Sequence, residues 1–207
     1  MHLKKNRRCS DEALDIGTGD STTAAALYNK LVPGDILLTQ TYGFFYALWR
    51  RLSCTPYDHS AVVIENNQTL NVVYPVTIKL PADHFFRSGK TPMALRPVWR
   101  SEQQLREFLD SFKQLEGTRY NSFRGFFNIS NAMMYHRLGL KIPLKVPELT
   151  DKRWVCTDAI ILNLQKSMPE FSNIKKLDLD LFRFGFTTLN DFLRIAYYMP
   201  DLLKRVE

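Results

Sequence analysis

Near residues 154–166 the chain reads Trp-Val-Cys-Thr-Asp-Ala-Ile-Ile-Leu-Asn-Leu-Gln-Lys, which puts apolar residues on most faces of a helix. A helix with no wet side must be wrapped by other elements, so the rest of the chain has to supply its covering layers. Asp35 to Thr39 reads as a short buried strand after the Pro33-Gly34 turn. His59 to Glu65, rich in Val and Ile, reads as another, and Asn66-Asn67 turns it back into a strand over about Thr69 to Tyr74. Thr77 to Leu80 and Met93 to Val98 are further short strands.

Helices separate these strands. Asp20 or Ser21 caps a helix through Leu31. Phe45, Leu48, Trp49 and Leu52 recur at i, i+3, i+4 and i+7, with Arg50 and Arg51 off the stripe. That pattern predicts a core helix with a wet back; an aromatic-basic helix lying on a membrane is the second reading. Ser101 and Gln104 form a capping box ahead of Leu105, Phe108, Leu109 and Phe112, and Gly117 closes that helix. Residues 128–138 are helical, and Pro143 and Pro147 mark a loop. Thr188 and Asp191 cap a last helix with Leu189, Phe192, Leu193 and Ala196 on its core face. A strand cluster with separate helices is an α+β pattern: a small antiparallel sheet or half-barrel packed on the central 154–166 helix. The division is a flexible basic tail over 1–20 and one domain over 21–207.

Charge makes a nucleic-acid binder the least expected class of function. Lys4, Lys5, Arg7 and Arg8 supply four of the net +7 charges, so the remainder is close to balance. No nucleic-acid signature accompanies the tail, and nucleic acid is not an expected partner; a weak contact with an anionic membrane is the sharper reading of it. Three cysteines, Cys9, Cys54 and Cys156, form neither a disulfide framework nor a C-x-x-C zinc pair. The expectation is a reducing compartment such as the cytoplasm, with no metal and no organic cofactor. No apolar run reaches the roughly 20 residues of a span, and no apolar region follows the basic residues as in a secretory signal.

Cys156 opens the buried helix just after Lys152-Arg153. A helix N-terminus offers unpaired N–H groups that favour a thiolate and an oxyanion. Of four histidines only His59 opens a strand, sharing a face with Ala61 and Val63. Asn71 is polar in an apolar strand run: pointing across at His59 explains it, and so does satisfying a turn or an edge. Read without further context, Cys156 is equally a small buried hydrophobe and His59 a structural strand-opener. Asp158 would either line a pocket mouth and attract an amine, or complement the helix dipole.

Three blocks in order, Gly34-Asp-Ile-Leu-Leu, Thr55-Pro-Tyr-Asp-His-Ser-Ala-Val-Val-Ile64 and Cys156-Thr157-Asp158, carry a resemblance. The chain resembles the circularly permuted NlpC-type papain-like superfamily in its YiiX-like branch. The resemblance implies a permuted papain-like fold with Cys156 as nucleophile, His59 as base, Asn71 as orienter and Tyr120 lining the site. Thr-Asp stands where the family has Ser-Glu after the cysteine, Asn where Glu or His is common, and the retinol-acyltransferase N-C-E-H-F-V motif is absent. The implied activity is hydrolysis of an amide or peptide-type bond through an acyl-enzyme. Alternatives are a thiol-dependent lipid acyltransferase or phospholipase at a membrane surface, and a non-catalytic binding module. The partner is correspondingly a peptide, an acyl-amine or a lipid.

Overall fold

The computed structural model describes residues 21–53, 55–65, 67–138, 153–174 and 188–206. The basic segment 1–20, with His2 and Cys9, lies outside the described residues, as do Cys54, Asn66 and the loop marked by Pro143 and Pro147.

The strands are β1 (Ile36–Thr41), β2 (His59–Glu65), β3 (Gln68–Asn71), β4 (Ile78–Pro81), β5 (Gly89–Pro97), the short β6 (Arg119–Tyr120) and β7 (Arg153–Trp154), and β8 (Leu203–Arg205). The helices are α1 (Ser21–Tyr28), α2 (Phe44–Ser53), α3 (Ala82–Ser88), α4 (Glu102–Lys113), α5 (Ser122–Leu138), α6 (Cys156–Ser167) and α7 (Leu189–Tyr198). Six strands form one antiparallel sheet in the order β4-β3-β2-β1-β5-β8, so the fold is α+β. β6 and β7 make a separate parallel pair that leads into α5 and α6.

Because side chains alternate along a strand, the sheet serves two cores. Ile36, Leu38, Val62, Ile64, Leu70 and Leu95 face one way and pack with α4, α6 and α7. Leu37, Ala61, Val63 and Ala94 face the other way and pack with Leu27 of α1 and Phe85 of α3. The apolar α6 is covered as its sequence demands: Ala159, Ile160, Ile161 and Leu164 are all buried.

Local signals locate most of these elements. Ser101 Oγ accepts the Gln104 N–H at 3.2 Å, and the Thr188–Asp191 capping box is formed at the start of α7. The turn before β1 is fixed twice. Gly34 has φ +94°, and an added Cβ would lie 2.6 Å from Leu105 Cδ1, so glycine is required there. Asp35, fully buried, accepts from Arg96 Nε at 2.7 Å and from the Val32 N–H at 2.9 Å.

Several elements depart from expectation. α6 begins at Cys156, because Arg153 and Trp154 are extended in β7. α5 begins six residues before the 128–138 stretch, at Ser122. β8 closes the β5 edge without an apolar alternation that would announce it. The largest correction concerns α2. Its apolar stripe is not in the core: Phe45 is 81% exposed, and Leu48, Trp49 and Leu52 are also exposed, while only Ser53 is buried. Helical periodicity decides which residues share a face; it does not provide a layer to cover that face. α2 lies against α5 and the end of β1, outside both cores.

Candidate active site

Cys156 is the first residue of α6, and its N-cap, Val155, gives no side-chain cap. The first-turn N–H groups are therefore open to other acceptors. The N–H groups of Thr157 and of Ser60 on β2 point at the sulfur, and the Ser60 hydroxyl lies beside it. Ser60 Oγ is buried on the sulfur side without a hydrogen-bond partner of good geometry. These groups favour a thiolate, but burial outweighs them, and the nearby Asp158 charge adds to it, so the thiol is pushed up from its ordinary value.

The histidine is oriented by a directed relay. Thr69 Oγ1 donates to the Leu80 carbonyl at 2.9 Å, so it accepts from Asn71 Nδ2 at 2.8 Å. That turns Asn71 Oδ1 toward His59 Nε2, 3.3 Å away. Oδ1 is an acceptor, so Nε2 carries the proton and Nδ1 keeps its lone pair. Asn71 thus takes the across-strand role rather than that of satisfying a turn. Burial holds the imidazole below its ordinary pKa, against the opposing pull of Asn71 and the Asp58 charge.

The two halves do not touch. His59 shares its face with Ala61 and Val63, and its ring packs on Phe85 with centroids 5.5 Å apart. Ser60 points with Val62 and Ile64 toward the Cys156 side. The sulfur therefore meets the residue after the histidine, and no hydrogen bond joins Cys156 to His59. With the thiol raised and the imidazole lowered, both groups are neutral near pH 7, not a thiolate–imidazolium pair.

A cavity of about 70 Å³ opens onto Cys156, lined also by Trp49 and Ser53 of α2, Tyr57, Asp58, Tyr120, Gly125 and Asn128. Tyr120 lines the same cavity as Cys156, and burial raises its phenol well above the ordinary value, with the Cys156 and Asp158 charges adding. Tyr57 is pushed up to about 12 by burial. Asp158 is not at a pocket mouth. It is 1% exposed and accepts from Arg124 Nε at 2.8 Å and Asn128 Nδ2 at 2.9 Å, so its charge is already matched. That corrects its reading as a substrate-binding acid: a carboxylate buried in the first turn of a helix needs a cation more than it can offer one.

Sequence reading missed Ser60, Thr69, Arg124 and Asn128. Thr69 and Asn71 are two apart on one strand and so share a face, which was a usable signal. Arg124 and Asn128 are four apart on α5, which places both on one side of the helix. Nothing local announces Ser60. Asn128 Oδ1 is buried without a hydrogen-bond partner, leaving the cavity one unfilled acceptor. His84 is exposed on α3. No three His, Cys, Asp or Glu side chains converge among the described residues, and no described helix is long and apolar enough to cross a membrane.

No family model matches this chain, and no curated protein matches it. Among solved structures it is similar to the crystal structure of the metalloprotein yiiX from Escherichia coli O157:H7, with 14% identity and a TM-score of 0.47. The match covers 66% of this chain and spans 66% of that one.

Proposed function

We propose that this chain is a cysteine-dependent hydrolase of an amide or peptide-type bond, built on a permuted papain-like fold. Cys156 is the nucleophile, His59 the general base and Asn71 its orienter. The observation that carries the reading is the relay from Leu80 through Thr69 and Asn71 to His59, which leaves Nδ1 as the basic nitrogen one residue from the Ser60 contact with the sulfur.

Sγ and the imidazole lie on opposite sides of β2, so turnover requires substrate binding to bring them together; both start neutral, and His59 Nδ1 then takes the thiol proton as Sγ attacks the carbonyl carbon. The carbonyl oxygen becomes an oxyanion within reach of the N–H groups at the start of α6. The C–N bond breaks, and the proton on Nδ1 passes to the departing amine. Water then attacks the thioester, with His59 again as base, and releases the acid and the free thiol. The unfilled Asn128 acceptor supports an amide over an ester, because an amide nitrogen brings an N–H donor.

The missing Cys156–His59 hydrogen bond and the raised thiol favour a second reading, a non-catalytic binding module on the same fold. A panel of acyl-lysine amides, isopeptides and short peptides separates the two, with acyl adducts on Cys156 read by intact mass. The hydrolase reading expects turnover that falls about 10²–10⁴-fold in His59→Ala and is abolished in Cys156→Ala. Turnover unchanged in either folded variant removes that residue from the mechanism. No turnover and no adduct across the panel leaves the binding module.

A further inference from the structure

The largest unexplained feature of the molecule is its outer aromatic face. α2 and α5 lie against each other beside the Cys156 cavity, and both contribute residues to its lining. Phe44, Phe45, Trp49 and Leu52 of α2 and Phe123 and Phe126 of α5 are all exposed, Phe44 at 76% and Phe126 at 63%. Single exposed apolar side chains are ordinary; a contiguous group of this size on two adjoining helices marks a surface that is covered in use.

The chemistry of the face indicates what covers it. Neither helix contains an acidic residue. Exposed Arg51 lies on α2 itself, exposed Arg119 precedes α5 in β6, and exposed Lys90 lies 4.8 Å over the Tyr42 ring. Aromatic rings with Trp and Tyr among them, on a short amphipathic helix with arginines at its end, suit the headgroup level of a bilayer. Basic residues at that level add attraction to anionic lipid. We propose that the α2/α5 face is a docking surface for an anionic lipid bilayer, which seats the mouth of the Cys156 cavity at the membrane interface.

The inference does not depend on turnover, so it is tested on Cys156→Ala protein alongside the unaltered chain. Co-sedimentation with phosphatidylcholine vesicles containing phosphatidylserine is compared with phosphatidylcholine alone. Both proteins are expected to bind the mixed vesicles, more weakly as salt rises and more weakly without phosphatidylserine. A Phe44→Ser/Phe45→Ser/Phe126→Ser protein, changed only at exposed positions, is expected to lose about tenfold in partitioning while keeping its circular dichroism and melting temperature. A Tyr197→Ser/Tyr198→Ser control, on exposed α7 positions outside this face, is expected to bind as the unaltered chain does. Failure of the unaltered chain to bind either vesicle overturns the proposal. So does equal binding by the triple variant, or equal loss in the α7 control. A concentration-dependent dimer in sedimentation velocity that the triple variant abolishes, without vesicle binding, assigns the face to a second copy instead.

Discussion

Cys156 and His59 illustrate how burial and hydrogen bonding set the state of a reactive side chain. The N–H groups of Thr157 and Ser60 point at the sulfur, yet burial dominates and holds the thiol protonated. Alkylation of Cys156 by iodoacetamide is therefore expected to be slower than that of a free thiol near pH 7.5, and to rise only above the free value of about 8.5. Fast alkylation near neutrality, with the protein folded, would show the thiolate instead to be stabilised. This reverses the expectation from the helix N-terminus alone, in which the thiol is activated.

His59 gives a linked effect on stability. Its folded pKa lies below the unfolded value of about 6.5, so the unfolded chain binds more protons on acidification. The stability it contributes is full above that value and is lost as pH falls through the folded pKa. Melting temperature is expected to drop between pH 7 and pH 5, with a shallower drop in His59→Gln; parallel curves for the two proteins would refute the assignment. Asp158 belongs to the same scale. Asp158→Ala removes the carboxylate that buried Arg124 donates to at 2.8 Å and is expected to destabilise by about 3–5 kcal/mol in urea unfolding. A well-folded Asp158→Ala protein whose KM rises only for cationic substrates would instead restore a substrate-binding role.

Elements are joined by pairs that no periodicity reveals. Arg50 of α2 bonds Asp58, whose side chain is 1% exposed and also accepts the Thr41 N–H at 2.9 Å. This pair holds a helix whose apolar face contributes little to the core. Arg50→Ala is expected to cost about 3 kcal/mol, since it leaves Asp58 buried with one donor fewer. Hydrogen exchange should show that loss first in α2 and β1; protection reduced evenly over the whole chain would argue against a local latch. At the other end of the sheet, Gly34 and the Asp35–Arg96 pair set the entry of β1. Here the sequence showed the turn residues, but not that Arg96, far along the chain, closes it.

At the scale of the molecule, one sheet supports both cores, so neither is independent of the other. Leu37 and Leu38 are neighbours in β1 on opposite faces, both fully buried. Leu37→Ala and Leu38→Ala are each expected to lower stability by about 2–5 kcal/mol within a single transition followed by circular dichroism and tryptophan fluorescence. Two separated transitions in either variant would mean that residues 21–207 are not one cooperative domain.

Most elements of this fold were legible because local chemistry determines them. A Ser101 side-chain cap starts α4 and a capping box starts α7, short runs rich in Leu, Ile and Val mark β1 and β2, and the 154–166 segment, apolar on most faces, had to become a buried helix. The candidate residues Cys156, His59 and Asn71 were legible for the same reason: a helix start, a strand start and a polar break in an apolar strand are all local events. The fate of those residues was not. Which face of β2 meets α6, whether the α2 stripe finds a layer to cover it, and whether Asp158 faces a substrate or Arg124 depend on contacts between residues distant in sequence. Side-chain alternation fixes which residues travel together, and only the packing of whole elements decides what each group of them meets.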